Sequence, residues 1–498
     1  MAQLYRNRLV VGVKCPRCGR SRVVDCHPRD LAGSGADICD ACGMEHAIRT
    51  GDLRLALEKG FRRAIRRVEA QDNRFWGDIL AVTICNAALL LEPLLWVTVV
   101  RLYYQSIGHY VMSTLHLVRR MERLGRERML VFVATPDAEF ESNRYIGKKW
   151  AERLLFSRHA EAAYRRLAAK RPASIWDSAH KTSHKYLFRD LSRAFLYLFK
   201  QYDYSTLPHC IDLRDEAYKW YVDAEQSGED LRSPFIFTAA ERERAARELR
   251  GLGIENGRGH IVFLARDKGY YDRPRGLPFH FESTNHRNMD VNNFLPAMNW
   301  AVDNGIAAVR MGRDVVKALP DAREGIIDYA SGSPTDFLDV HLVANCLFQV
   351  CANTGMYYLG LIFGKWLLAC NFPDVYSPMD YAYFPRVCFM FKKFWCHRAK
   401  RFLSLREILA RKLENKRLAS AYFQERISLV ENSGAEILSA TRETYSRAVG
   451  TWRTTDAEEE LQGKFKALLR AAYQEDVPLA GVVSHSFLSA NPWLLADA

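Results

Sequence analysis

The chain reads as an α/β protein of two doubly wound, Rossmann-like lobes, with a small four-cysteine ribbon before them and a helical tail after them. Three patterns predict this. Two CxxC pairs stand within the first 50 residues. Short buried-strand runs alternate with helix-period runs from about residue 95 to 135, and again from about 255 to 375. Beyond Leu405 the apolar spacing is mostly helical.

Composition sets the frame. The 498 residues are 48% hydrophobic and 26% charged, which excludes a disordered chain, a coiled-coil rod and a small disulfide scaffold. Lys and Arg number 71 against 58 Asp and Glu, and the surplus of +13 favours polyanionic partners: nucleic acid, anionic lipid or a phosphorylated substrate.

Residues 1–50 form the ribbon. Cys15, Cys18, Cys39 and Cys42 give C-x2-C-x20-C-x2-C. Each CxxC turn directs two thiolates at one ion, and two such turns close the tetrahedral S4 set preferred by structural Zn2+. Four protein ligands leave no open position for catalysis. No signal-like apolar core precedes the first cysteines, so a reducing cytoplasm is expected. The remaining eight cysteines read as small core residues.

Residues 51–100 read as a basic and apolar helical linker. GDLRLALEKGFRRAIRRVEA has helical apolar spacing and a basic opposite face. Ile79–Val100 is apolar but contains Asn86, Glu92 and Pro93, and Glu92 ends its uncharged run too early to cross a bilayer. An apolar helix to about Leu91 and then a buried strand is the expectation, with contact to a membrane surface as the alternative, since arginines flank the segment. The localisation that follows is cytoplasmic or peripheral on the inner membrane.

Residues 101–245 read as the first lobe. The stretch from Trp96 to Pro136 gives strand, Gly-containing loop, helix and second strand, a βαβ unit. Residues 246–400 read as the second lobe. Thr238 and Glu241 have capping-box spacing ahead of a helix, and HIVFLA is a buried strand delivering Arg266 and Asp267. Further strand-to-helix steps follow, ending in LLACNF. Residues 401–498 are the helical tail.

Polar groups gather at the strand ends of the second lobe. After the first strand come Arg266 and Asp267, then His286, Arg287, Asn288 and Asp290 in a long loop. Arg310 and Gly312 end the next strand; Ser333 and Thr335 precede a helix that Asp336 caps; Asn353, Thr354 and Gly355 precede another. Hydroxyls, glycines and helix N-termini suit phosphate oxygens, and arginine adds a bidentate donor. Helix caps need the same residue types whatever the function. The chain has no GxxxxGK[ST] loop, no GxGxxG after the first strand of either lobe, no GxSxG and no HExxH.

The runs RDKGYY, RNMDVNNFLPAMNWAVDNGIAAVRMG and IIDYASGSPTDFLDVHLVANCLFQVCANTGMYYLGLIFG, in that order, resemble a family of bacterial glycosyltransferases. Ser106-Ile107-Gly108-His109-Tyr110 is similar to that family's RIGHL segment, Glu431–Ile437 to its ENS segment, and Phe487–Leu495 to its terminal FL..NP.LL. More remotely, RD followed by DFLD and N-TG is similar to the donor site of fucosyltransferases. The resemblance implies a GT-B-like fold, an acceptor lobe followed by a nucleotide-sugar lobe, and no catalytic metal. On that reading the strand-end residues Arg266, Ser333, Thr335, Thr354 and Gly355 are the candidates for diphosphate binding, with Arg287 and Arg310 behind them and Asp339 against a donor ring. His109, or else Asp267 or Asp290, would be the base. The acceptor would be a glycan, a lipid-linked glycan or a protein. Ser106 replaces the arginine of RIGHL, and the ribbon is not part of the family. Two other functions stay open: a zinc-ribbon nucleic-acid-associated protein, and an inactive homologue that binds sugar nucleotides.

Overall fold

A computed structural model of the chain describes residues 2–5, 8–14, 21–26, 36–38, 45–47, 50–70, 73–90, 97–101, 106–123, 130–134, 141–151, 154–157, 159 and 210–212, and then 235–496 except 255–258, 270–280, 321–322, 376–383, 415, 417 and 475–478. The protein is mixed α/β, and its internal contacts divide it into two units. The first comprises residues 1–104, 116–141 and 147–215; the second comprises 105–115, 142–146 and 216–498.

The first unit opens with two antiparallel sheets. One joins β1 (Ala2–Tyr5), β2 (Arg8–Lys14) and β3 (Ser21–Cys26); the other joins β4 (Ala36–Ile38) and β5 (Glu45–Ala47). The cysteines expected to hold zinc, Cys15, Cys18, Cys39 and Cys42, lie outside the described residues. Among the described residues no cluster of three or more potential metal ligands occurs.

Next come the helices Thr50–Glu69 and Arg74–Leu90, which pack together. Gly77 permits close packing within this unit, because a Cβ there would lie 2.3 Å from the ring of His159. His159 is buried and its Nδ1 meets Asp78 Oδ1 at 2.7 Å. Among the described residues no helix is long and apolar enough to cross a membrane. The expected strand after Pro93 is β6 (Val97–Arg101), which pairs in parallel with β7 (Leu130–Ala134) and β9 (Cys210–Asp212), and β8 (Leu154–Ser157) extends the sheet beyond β7.

The second unit is built on a seven-stranded parallel sheet. Its strands are β10 (His260–Leu264), β11 (Ala307–Met311), β12 (Ile326–Ile327), β13 (Phe348–Cys351), β14 (Trp366–Phe372), β15 (Val387–Phe391) and β19 (Val482–Val483). They lie in the order β12-β11-β10-β13-β14-β15-β19. β10, β11, β13 and β15 are buried at every residue, which is why they read as continuous apolar runs with no alternation. Counted from β10, the first six run 3-2-1-4-5-6 across the sheet. That order reverses direction between β10 and β13, where a doubly wound sheet opens a crevice at its carboxyl edge.

Helices pack around this sheet. Ala239–Gly251 starts with the expected capping box, Thr238 accepting from Glu241 N while Glu241 accepts from Thr238 N. Leu295–Asp303 and Gly434–Ala448 pack on each other and on the sheet. The region after residue 401 is mainly helical and also returns β19 to the sheet edge. A three-stranded antiparallel sheet, β16 (Lys393–Cys396) between β17 (Arg401–Phe402) and β18 (Ile427–Val430), links the two parts. The six cysteines whose side chains are described are buried and form no disulfide.

Candidate functional site

The residues that follow β10 and β13 meet at the reversal point of the sheet. Arg266 is buried two residues beyond β10. Its Nη1 donates to Thr284 O at 2.9 Å and to Asn288 Oδ1 at 2.7 Å, and its Nη2 donates to Thr284 Oγ1 at 2.9 Å. Met289 N donates back to Arg266 O, so the loop 284–289 is fastened to the strand end. Arg287, on that loop, donates Nη2 to Asn353 Oδ1, the second residue after β13. Asn353 is only 1% exposed, and its Nδ2 has no partner.

Lys392 is the third cation, and sequence patterning did not single it out. It directly follows β15, is 3% exposed, and donates Nζ to the carbonyl of the same Asn288 that Arg266 holds. Burial and Arg266 push its ammonium pKa down from the usual lysine range, while Glu431, 3.7 Å away, pulls the other way. The legible signal was a lysine placed immediately after a fully buried strand, VCFMF, where a solvated charge is unexpected. His286 lies among these cations. Burial first, then Arg287, Arg266 and Lys392, hold its imidazole down to about 4.

The segment Ser106–Tyr110 belongs to this second unit and packs on the loop after β13. A Cβ on Gly108 would lie 2.8 Å from Gly355 O and 2.9 Å from Gly355 Cα. Only two glycines allow backbones to approach so closely. His109 is half-buried in the first turn of the helix Ile107–Arg123, next to that contact. Thr354 Oγ1 accepts from Met356 N at 3.3 Å. Arg266, Arg287, Thr354, Gly355 and His109 are therefore brought to one region, together with Lys392, His286 and Asn353.

Other expected residues are occupied elsewhere. Arg310 points within the sheet at 1% exposure and forms an ion pair with Asp328 at 3.2 Å; its charge is used inside the fold. Thr335, rather than Asp336, caps the helix Asp336–Asn345 by accepting from Leu338 N. The Asp336 carboxylate instead accepts from Arg144 N and pairs with Arg313 at 2.7 Å. Asp339 is buried, receives Arg313 at 2.8 Å and Tyr329 OH at 2.9 Å, and burial pushes its carboxyl up to about 6 against those two partners. This set ties the segment 142–146 to the helix, and Arg313 is its hub. Ser333 is exposed just ahead of the cap. Neither aspartate put forward as a base is unengaged. Asp267 accepts from Gly269 N at 2.8 Å and Val316 N at 3.0 Å, using both oxygens. Asp290 caps a short turn through Asn292 N and pairs with Lys317 at 3.3 Å.

The ENS segment has a structural task. Asn432 and Asn371 exchange two hydrogen bonds, Asn371 N to Asn432 Oδ1 at 2.7 Å and Asn432 N to Asn371 Oδ1 at 2.6 Å. Asn371 is left-handed, φ 56°, at the irregularity where β14 pairs with β15. Ser433 and Glu436 form a capping box, and Glu431 accepts from Asp290 N and Asn293 Nδ2. The motif thus fixes the loop that carries Arg287 and places a carboxylate against Lys392.

No protein-family profile and no curated protein matches the chain. Solved glycosyltransferases are similar to it at low identity. E. coli ADP-heptose lps heptosyltransferase II is 13% identical, with a TM-score of 0.35, over 59% of this chain and 90% of that one. The glycosyl transferase family 9 protein of Veillonella parvula is 12% identical, with a TM-score of 0.33, over 59% and 86%. E. coli heptosyltransferase WaaC with ADP is 13% identical, with a TM-score of 0.28, over 59% and 91%.

Proposed function

We propose that the protein is a GT-B-like glycosyltransferase that binds a nucleotide-sugar donor at the reversal point of the second unit's sheet. The observation that carries this is the convergence of Arg266, Arg287 and Lys392 on the carboxyl ends of β10, β13 and β15, beside the unpartnered amide of Asn353. Three preorganised cations suit the two negative charges of a diphosphate, and they need no reorganisation as the leaving group departs.

The reaction follows from that placement. The acceptor hydroxyl attacks the anomeric carbon, the bond from that carbon to the diphosphate oxygen breaks, and the cations take up the released charge. The acceptor proton goes to a base. His109 is the first candidate for it, because its helix turn packs against the Gly355 loop, with Asp267 or Asp290 as the alternatives. The acceptor is a glycan, a lipid-linked glycan or a protein, as the sequence resemblance implies.

Two features outside the site belong to the same proposal. β2 with β3 and β4 with β5 pair up to Lys14↔Ser21 and Ile38↔Glu45, so each CxxC falls in a six-residue connection closed by paired strands. That arrangement fits Cys15, Cys18, Cys39 and Cys42 holding a structural Zn2+. The helix Arg74–Leu90 exposes Trp76 and Leu80 one turn apart, and the helix before it exposes Lys59, Arg63, Arg66 and Arg67. This pairing of apolar and basic surface suits an anionic membrane.

A thermal-shift screen against UDP-, GDP-, CMP- and ADP-sugars tests the donor site. A rise in melting temperature with one nucleotide class, lost in both Arg266→Ala and the less buried Arg287→Ala, is the expected result. A folded wild-type protein that responds to none of them, yet binds DNA or RNA in a strongly salt-dependent way, would replace this proposal with the nucleic-acid one.

A further inference from the structure

We propose that His286 is itself a ligand of the donor's diphosphate, binding it through Nδ1 as an imidazolium that forms when the anion arrives; this rests on the donor-site reading above. The geometry is unusual for a structural histidine. The ring is half-buried and packs at 5.5 Å between centroids on Tyr422. Its Nδ1 is buried and has no partner. A neutral ring with its proton on Nε2 presents a bare Nδ1 lone pair inside a cluster of cations, where it has no donor to receive.

The groups that face the ring come from every surrounding element. Arg287 is its neighbour on the loop, Arg266 comes from the end of β10 and Lys392 from the end of β15, and all three disfavour protonation. Glu431 stands 3.7 Å from the Lys392 ammonium. Asp374 and Glu414 act on the Tyr422 hydroxyl. A diphosphate seated on Arg266, Arg287 and Lys392 reverses the sign of the field at Nδ1. One proton then moves from solvent to Nδ1, and the new N–H donates to a phosphate oxygen. No other bond changes.

The linkage has a definite sign. The complex holds more protons than the free protein, so affinity rises as pH falls from the bound-state value towards the free value near 4. Above the bound-state value it is flat. A nucleotide sugar is the right probe, because its two phosphates stay singly ionised across this range and exchange no proton themselves.

Isothermal titration calorimetry with UDP-glucose, GDP-mannose, ADP-glucose and sulfate, from pH 5 to 8 and in buffers of different ionisation enthalpy, tests the idea. The wild-type protein is expected to take up as much as one proton per ligand, with affinity changing by up to about tenfold per pH unit. His286→Gln is expected to bind with no uptake and a flat profile. Wild-type binding without proton uptake overturns the inference, as does uptake that persists in His286→Gln. Sulfate binding with His286-dependent uptake, and no response to any nucleotide sugar, keeps His286 as an anion ligand while removing the sugar-donor reading. Failure of every probe to bind removes both. If His286→Gln folds poorly, His286→Asn takes its place with the same expected loss of uptake, and absence of uptake in the wild-type protein overturns the inference without any variant.

Discussion

The most direct physical test of the site is Gly108→Ala. The new Cβ would lie 2.8 Å from Gly355 O, 2.8 Å from Tyr358 Cδ2 and 2.9 Å from Gly355 Cα. Two of these three atoms are backbone, so no rotamer change relieves the contact, and the helix start or the loop after β13 must move by several tenths of an ångström. Overpacking of that kind costs about 1–3 kcal/mol, from which the usual gain of roughly 0.5–1 kcal/mol for replacing a helical glycine is subtracted. The net loss is up to about 2.5 kcal/mol, which in a unit of this size lowers the melting temperature by up to roughly 4 °C. Differential scanning fluorimetry or urea denaturation reads the loss. Because the strain falls on the loop carrying Asn353 and Thr354, nucleotide-sugar affinity should fall with it. A variant that melts at or above the wild-type temperature would show that these backbones do not approach as described.

Other perturbations carry equally definite expectations. Gly60→Ala, in the helix Thr50–Glu69 with nothing within 4 Å of the added carbon, should stabilise by about 0.5–1 kcal/mol in the same denaturation assay. Asn432→Ala removes the side-chain acceptor of Asn371 N and the donor to Phe391 O at a fully buried position, while the bond from the Asn432 backbone N to Asn371 Oδ1 remains, and a loss of about 2–4 kcal/mol by urea denaturation is expected. Glu443→Ala removes the acceptor shared by Ser484 Oγ, His485 N, Ser486 N and Arg447; Arg447 keeps Glu458, but the other donors lose their acceptor, at a cost of roughly 2–4 kcal/mol in the same measurement. Acid titration of stability gives a fourth check. His286 is held below its unfolded value, so stability present above pH 6.5 should be lost as the pH falls towards 4, and His286→Gln should abolish that part of the loss.

Local features of the fold were plain in the sequence because each is encoded within a few neighbouring residues. The capping box of Thr238 and Glu241, the buried strand beginning at His260 and the strand Val97–Arg101 all need only short-range pattern. Thr335 shows where such reasoning slips. Thr335 and Asp336 are adjacent and both cap helices well, and the choice between them was made by Arg313 and Arg144, which approach from other segments and engage the aspartate. The partners of Arg310 and Asp339 were hidden from the sequence for the same reason: Asp328 for the one, and Arg313 and Tyr329 for the other, come from other segments.

The reversal point is a different kind of fact. No segment encodes that β13 lies beside β10 while β11 lies on its other side; the order arises when non-consecutive strands pair, and it alone decides which strand ends share a crevice. The consequence can be traced residue by residue. Arg266 and Asn353 are 87 positions apart and become neighbours through Arg287, which the ENS segment holds in place from 144 positions further on. Lys392 arrives only because β15 is the sixth strand and ends at the same edge. Burial first, and then the neighbouring cations, lower the pKa of His286, and burial chiefly lowers that of Lys392 against the pull of Glu431. Asn288 accepts from two of the cations at once and Glu431 stands against one of them. On the proposed reading, a diphosphate seated there would supply the negative charge that these three cations lack.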